Sequence, residues 1–367
     1  MKLTAVIPVY RDPKRVSDIV RKLLASDYPN HEIVIVVDGE TNSRIEEALA
    51  PYREQIRIHY NQAQLGKSAS LNRIAAELRT DLLLFLDNDI LLPGDPGFVT
   101  RVVSVMQDCD ISELPKEAVA VSLISKMMRY EFLGFAMTTY VLSKLSGRCP
   151  AMNGAAFAVR KELFDKLGGF KNVVNEDMDF AARSFRQGAR FSYNPRLKVE
   201  NEVPTTLAEW VKQRKRWALN NVLWLRNNFR LLAAHFFKSF SFFISGILLL
   251  LPFFTYMVVF ALMKRVHLTP FLPVLFMTAQ HIHMSAGLLL WLTQLNLIFG
   301  EGLVPTLMGL SVSSLIYFGF AKFLRFRFNF LEYLLFYFIY SPIWLLANII
   351  VWVGMALKID IQVDWKV

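Results

Sequence analysis

Residues 81–90 read DLLLFLDNDI. A short apolar run without alternation is the pattern of a strand covered on both faces, as in a parallel sheet flanked by helices. The run ends on Asp87 and Asp89, which flank Asn88. Open α/β sheets bind ligands outside the carboxyl ends of their strands, which is where these acids fall. Neighbouring stretches repeat the theme. LTAVIPV (3–9) and EIVIVVD (32–38) read as strands, the second ending on Asp38. DPKRVSDIVRKLLAS (12–26), with Pro13 suited to a first turn, and GKSASLNRIAAELR (66–79) have helical spacing. Strand and helix signals in alternation predict a largely parallel sheet.

The 367 residues are 54% hydrophobic, and the excess lies in the second half. Uncharged apolar stretches cover 239–263, 266–300, 302–321 and 333–357. Each is long enough to span a hydrocarbon core as helix, which takes about 20 residues. Four spans are therefore expected. A strand-like LTAVIPVY at residue 3, without a signal-peptide pattern, leads to the expectation of a cytoplasmic N-terminal domain. Lys322, Arg325 and Arg327 would then fall outside, against the positive-inside tendency. Gln280, His281 and His283 sit inside an apolar run, as a helix–helix hydrogen bond or a functional polar group. The two cysteines, Cys109 and Cys149, have no metal or disulfide spacing.

Net charge is +10, and the cations gather beside the apolar runs. Between 209 and 230 stand Lys212, Arg214, Lys215, Arg216, Arg226 and Arg230, against Glu209 alone. This reads as a membrane-facing basic surface, not a nucleic-acid one. The host segment, 206–236, is an amphipathic helix with Trp210, Trp217 and Trp224 spaced by seven, which suits a helix lying in the interface. Gln213, Arg216 and Trp217 stand at i, i+3 and i+4 and share one face. That face offers an amide, a phosphate-matching guanidinium and a flat indole. Arg214 and Lys215 are expected to meet lipid headgroups.

Three further features carry chemistry, each with a plainer alternative. Asp87 and Asp89 suit one divalent cation completed by substrate phosphates, or are two solvated acids. Glu176, Asp177 and Asp179 open a helical segment, as dipole partners or as a general base held at a helix start. Gly154, Ala155 and Ala156 give a bulky substrate close access to backbone, or simply pack tightly. Gly168-Gly169 reads as a turn.

In this order the pieces resemble the membrane-bound, cellulose-synthase-like group of family 2 glycosyltransferases, over roughly residues 3–221. IPVYRD, with Pro8 and Tyr10, is similar to the family's opening strand and loop. Asp38 in VVDGE matches its nucleotide-base aspartate region, although Val37 stands where a second aspartate is common. Asp87 and Asp89 match its DxD motif, NGAAFAVRKELFDKLGGF its acceptor-side segment, Glu176-Asp177 its base motif, and QRKRW its QxxRW signature. Asn220 stands where many polymerising relatives have Gly.

The resemblance implies a glycosyltransferase-A (Rossmann-like) α/β catalytic domain at 1–205. An interfacial amphipathic helix (206–236), a transmembrane helical domain (237–358) and a short tail (359–367) would follow. It implies an inverting transfer of one hexose, mannose or glucose, from a GDP- or UDP-linked donor to a hydroxyl of a lipid-linked glycan or glycolipid. Small archaeal membrane mannosyltransferases are a plausible match. Asp87 and Asp89 would hold Mn²⁺ or Mg²⁺, and Asp177 would be the base. Pro8, Tyr10, Asp38, Lys67, Asp87, Gln213 and Arg216 would bind the nucleotide sugar, and Trp217, Gly154 and Glu176 the acceptor. No obligate protein partner is indicated. A processive polysaccharide synthase and a polyprenyl-phosphate glycosyltransferase are the alternatives.

Overall fold

A computed structural model of the chain describes residues 1–173, 175–263 and 303–357. It divides into two units, residues 1–246 with those from 345 on, and residues 247–344.

The first unit is built on β1 (Leu3–Val9), β2 (His31–Val37), β3 (Arg57–Tyr60) and β4 (Leu82–Leu86). They pair in parallel in the order β3-β2-β1-β4, with β1 aligned on β2 from Leu3↔His31 to Val9↔Val37. The residues of β1 and β4 are almost wholly buried, as their unbroken apolar runs require. Helices α1 (Val16–Leu24), α2 (Ser43–Leu49) and α3 (Lys67–Glu77) fall between these strands.

The pairing is wholly parallel only in this half. β8 (Ala156–Arg160) lies antiparallel beside β4, followed by β6 (Ile111–Glu113) and β9 (Phe191–Tyr193), giving a mixed seven-stranded sheet. The apolar, buried AFAV of β8 fits between two neighbours. A second sheet joins β5 (Ile90–Leu91), β10 (Val199–Asn201) and β7 (Lys116–Ala118). It brings the segment after β10 against Asp89.

The first helix begins later than its spacing predicts. Arg11 and Lys14 have φ of 57° and 41°, so residues 11–14 form a tight turn and α1 starts at Val16. The turn is clamped by Asn88, whose side chain donates to the Asp12 carbonyl (2.7 Å) and whose carbonyl accepts from Arg15 N–H (2.9 Å). That contact spans 76 residues and is invisible to local pattern.

α4 (Phe98–Val105), α5 (Leu123–Ser146), α6 (Lys161–Lys166) and α7 (Glu176–Arg186) complete the domain. α8 (Leu207–Lys238) matches the expected 206–236 and opens with a capping box between Thr206 and Glu209. α9 (Phe240–Leu249) follows after a 110° bend.

The expected span at 239–263 is not one helix. It is broken at Leu250 into α9 and α10 (Leu251–Met263), and Pro252 lies where a helix tolerates it, in a first turn. Two helices of the described residues are long and apolar enough to cross a membrane, Val304–Leu324 and Phe330–Gly354. They correspond to the predicted stretches 302–321 and 333–357. A third is reached if α8 and α9 are taken as one bent span. The first of the two is α11; the second comprises α12 (Phe330–Leu335), a π-helical turn (Phe336–Tyr340) and α13 (Ser341–Ala356). Within the second unit Tyr317, Tyr333 and Phe336 cluster, with Tyr333 OH 2.5 Å from Ser313 Oγ. The predicted stretch 266–300, with Gln280, His281 and His283, and the tail 359–367 lie outside the described residues.

Candidate active site

Acids and lysines from five segments meet at the carboxyl ends of β1 and β4. Asp87 follows β4 and its N–H donates to the Ala155 carbonyl (2.8 Å). Lys67, the first residue of α3, places Nζ 2.6 Å from Asp87 Oδ1 and 3.9 Å from Glu176 Oε1. One ammonium thus joins the DxD acid to the first turn of α7. Asp89 accepts from Asn201 Nδ2 (3.1 Å) and lies 3.4 Å from Lys14 Nζ. Its carbonyl accepts from Glu202 N–H (2.9 Å).

Asp177 is held at the start of α7, where the helix dipole favours a carboxylate. Oδ2 accepts from Gly154 N–H at 2.6 Å and Oδ1 from Met178 N–H at 2.7 Å. Gly154, predicted to lie on the acceptor side, packs directly against Asp177. A Cβ on Gly154 would lie 2.4 Å from Asp177 Cβ, so no larger residue fits without movement. Asn175, just ahead, takes a left-handed φ of 67° and turns the chain into the helix.

The electrostatics follow from crowding. Burial raises the pKa of Asp177, opposed by the Gly154 hydrogen bond and by Lys67. Burial likewise raises Glu176, opposed by Lys67. Asp89 is raised by burial and by Asp87. Burial works against the charge on Lys67, but Asp87 and Glu176 outweigh it and raise its pKa. Among the described residues no three His, Cys, Asp or Glu side chains form a metal cluster. The protein offers two carboxylates, each now facing a lysine ammonium. That donor set fits Mg²⁺ or Mn²⁺ when diphosphate oxygens complete the shell.

The other predicted residues come from β1, the segments that follow β1 and β2, and α8. Pro8 is the penultimate residue of β1, and the Tyr10 ring carries the Arg11 guanidinium at 4.8 Å. Asp38 is buried and accepts from Leu65 N–H, Asn61 Nδ2 and Ser70 Oγ at Oδ1 and from Gly66 N–H at Oδ2, all within 3.0 Å. Its clear work is to fix the 61–66 loop ahead of Lys67. Oδ2 keeps capacity for one more donor.

On α8, Gln213, Arg216 and Trp217 are partly buried, whereas Lys212 and Lys215 are exposed. Arg214 does not meet headgroups. It is 3% exposed, and its Nη1 lies 2.5 Å from Glu131 Oε1 of α5. The tryptophans spaced by seven also face protein. Trp210 is buried, and Trp217 stacks near Phe132. Trp224 Nε1 donates to the Met178 carbonyl (3.1 Å). The stripe is a seam against α5 and α7, because a 32-residue helix joined to a domain buries its aromatic edge there.

Sequence reasoning missed Lys14, Asn88, Asn201 and Glu131. Lys14 and Asn201 have no local motif, and Glu131 is only the mate of a cation 83 residues away.

Comparison with known proteins fits this geometry. Residues 2–220 match the model described as glycosyltransferase like family 2. The chain belongs to glycosyltransferase family 2. This glycosyltransferase is 23% identical over 232 residues to a probable glycosyltransferase, YdaM, of Bacillus subtilis, covering 60% of this chain and 55% of that protein. It is 27% identical over 219 residues to a beta-monoglucosyldiacylglycerol synthase of Synechocystis, covering 55% of this chain and 44% of that one. The chain thus spans about half the length of the curated relatives it matches. Among solved structures, the mannosyltransferase PcManGT of Pyrobaculum calidifontis aligns with a TM-score of 0.52 at 18% identity. The alignment covers 83% of this chain and 87% of that one, and the fold is shared. The fold is accordingly of the glycosyltransferase-A kind, with C-terminal helices apolar enough to span a membrane.

Proposed function

We propose that this glycosyltransferase moves one hexose, mannose or glucose, from a GDP- or UDP-linked donor to a hydroxyl of a lipid-linked glycan or glycolipid, with inversion. The observation that carries the reading is Lys67, whose ammonium joins Asp87 to Glu176 and so unites the DxD turn with the helix that bears Asp177. Two related proteins support it by what their names and contents say: one is a glucosyldiacylglycerol synthase, and the other was solved with GDP-mannose and Mn²⁺.

In this reading Asp87 and Asp89 hold a divalent cation, which when bound stabilises the departing nucleoside diphosphate. Lys67 serves the same anion, and Pro8, Tyr10, Asp38, Gln213 and Arg216 line the donor. Asp177 takes the proton of the acceptor hydroxyl as its oxygen attacks the anomeric carbon. Burial makes Asp177 a stronger base than a solvated aspartate. Glu176, Gly154 and Trp217 shape the acceptor side. The catalytic unit faces the cytoplasm and the chain crosses the membrane several times, so that a lipid-borne acceptor arrives beside α8.

The test is a screen of labelled nucleotide sugars with membrane lipid extract, followed by product sizing. A single labelled lipid supports the proposal. A ladder overturns it in favour of polymerisation, which matches at 22% identity to poly-beta-1,6-N-acetyl-D-glucosamine synthases of Staphylococcus aureus keep in view.

A further inference from the structure

A buried ion pair lies beneath the proposed acceptor floor, in a part of the chain that the transfer chemistry does not use. Arg214 and Glu131 are 3% and 5% exposed, and the pair closes at 2.5 Å. The Arg214 guanidinium also sits 4.5 Å from the Trp217 ring centre and 5.6 Å from that of Trp210. Phe132, the residue after Glu131, lies nearly parallel to Trp217, at 15° and 6.5 Å between centroids. Two successive residues of α5 therefore grip α8, one through the cation and one through the indole.

Burying two charges costs several kcal/mol per ion before their attraction offsets it, so such a pair is weak evidence of added stability. Two apolar side chains of similar volume would hold the helices together as well. What they would not supply is a planar, tethered plate against an indole. A guanidinium stacks flat on an aromatic face while its edge donates to a carboxylate, whereas an ammonium does not. Trp210, Arg214 and Trp217 follow at i, i+4 and i+7, so the three form one column along α8.

We propose that Glu131 and Arg214 are positioning residues for the acceptor sugar: Glu131 fixes the Arg214 plate, and the plate with Phe132 fixes the height and tilt of the Trp217 indole on which that sugar rests. The inference rests on the acceptor role proposed above for Trp217. It predicts a loss confined to acceptor use, because neither residue touches the acid cluster that serves the donor. A misplacement near 1 Å at a substrate contact is enough to cost up to about a hundredfold.

The experiment uses the full chain in detergent, as wild type, Glu131→Gln, Arg214→Lys, and the double variant Glu131→Met with Arg214→Met. Three quantities are read: Mn²⁺-dependent hydrolysis of labelled GDP-mannose and UDP-glucose, apparent KM for octyl mannoside or octyl glucoside as acceptor, and Tm. Glu131→Gln and Arg214→Lys are expected to raise the acceptor KM about tenfold or more and to leave hydrolysis within about twofold. The double variant is expected to recover the wild-type Tm, as an apolar replacement of a buried pair does, and to keep the raised KM. An unchanged KM in Glu131→Gln overturns the proposal. So does a double variant in which KM recovers together with Tm, since the pair then serves only stability. A wild-type chain that turns over neither donor refutes the catalytic reading itself, and this inference falls with it.

Discussion

Gly154→Ala probes the tightest contact of the site. The added Cβ would meet Asp177 Cβ at 2.4 Å, Oδ2 at 2.8 Å and Cγ at 3.0 Å. Unbonded carbons rest at about 3.5–4.0 Å, so one partner must retreat by at least about 1 Å. α7 is fixed behind Asp177 by the Trp224–Met178 hydrogen bond and by Arg186 Nη2 donating to Asn228 Oδ1 at 2.5 Å. The strain therefore falls on the carboxylate and on the 2.6 Å hydrogen bond from Gly154 N–H. A reacting group displaced by about 1 Å costs about a hundredfold in rate, which is about 2.7 kcal/mol of activation free energy. Overpacking costs about 1–3 kcal/mol of stability. The Gly154 hydrogen bond also opposes the burial-driven rise in the Asp177 pKa, so weakening it moves the acid limb of the pH–rate profile to higher pH. The assay is transfer from labelled donor between pH 5 and 9, with Tm measured alongside. Transfer within about threefold of wild type, with an unmoved acid limb, would refute the claim that Gly154 sets the base.

Asp89→Ala is expected to abolish Mn²⁺-stimulated donor binding by calorimetry, whereas binding in EDTA changes little. Lys67→Met removes the cation that opposes the raised pKa of Glu176 and Asp177, so the acid limb should shift upward and donor affinity should fall. Asp38→Ala strips the shared acceptor from three donors of the 61–66 loop and from Ser70 of α3, and is expected to cost about 3 kcal/mol in denaturant unfolding. The raised Asp177 pKa also has a stability sign. Folded Asp177 holds its proton more tightly than the unfolded chain does, so wild-type stability falls as pH rises from the ordinary carboxylate value through the folded one. Asp177→Asn lacks that slope, so thermal scans of both proteins should diverge in favour of the variant as pH rises above the ordinary carboxylate value.

Much of the catalytic unit was legible because burial on both faces writes itself as unbroken apolar runs. LTAVIPV, EIVIVVD and DLLLFL each became parallel strands, and the acids after them lie at the strand ends. Most of the failures share one cause, contacts between residues far apart in sequence. The start of α1 was misplaced because Asn88 pins residues 12–15 into a turn. The reversed strand β8 is not legible locally, since its direction depends on β4 and β6. Helical spacing placed Gln213, Arg216 and Trp217 on a segment that is indeed a helix. It could not show that Arg214 points at a glutamate on α5, because spacing assigns residues to a face and not a face to its neighbour. Hydropathy likewise located apolar stretches without finding the break at Leu250, which becomes sensible once Pro252 is read as a helix start.

The central claim is that Asp177 is the base of a metal-dependent sugar transfer. Its most direct measurement is Asp177→Asn beside wild type, with donor affinity by calorimetry in Mn²⁺ and transfer of labelled sugar to lipid extract on the same preparations. The account predicts a donor Kd within about twofold and transfer reduced by about 10²-fold or more. Transfer retained by Asp177→Asn, with the donor bound equally well, would contradict it.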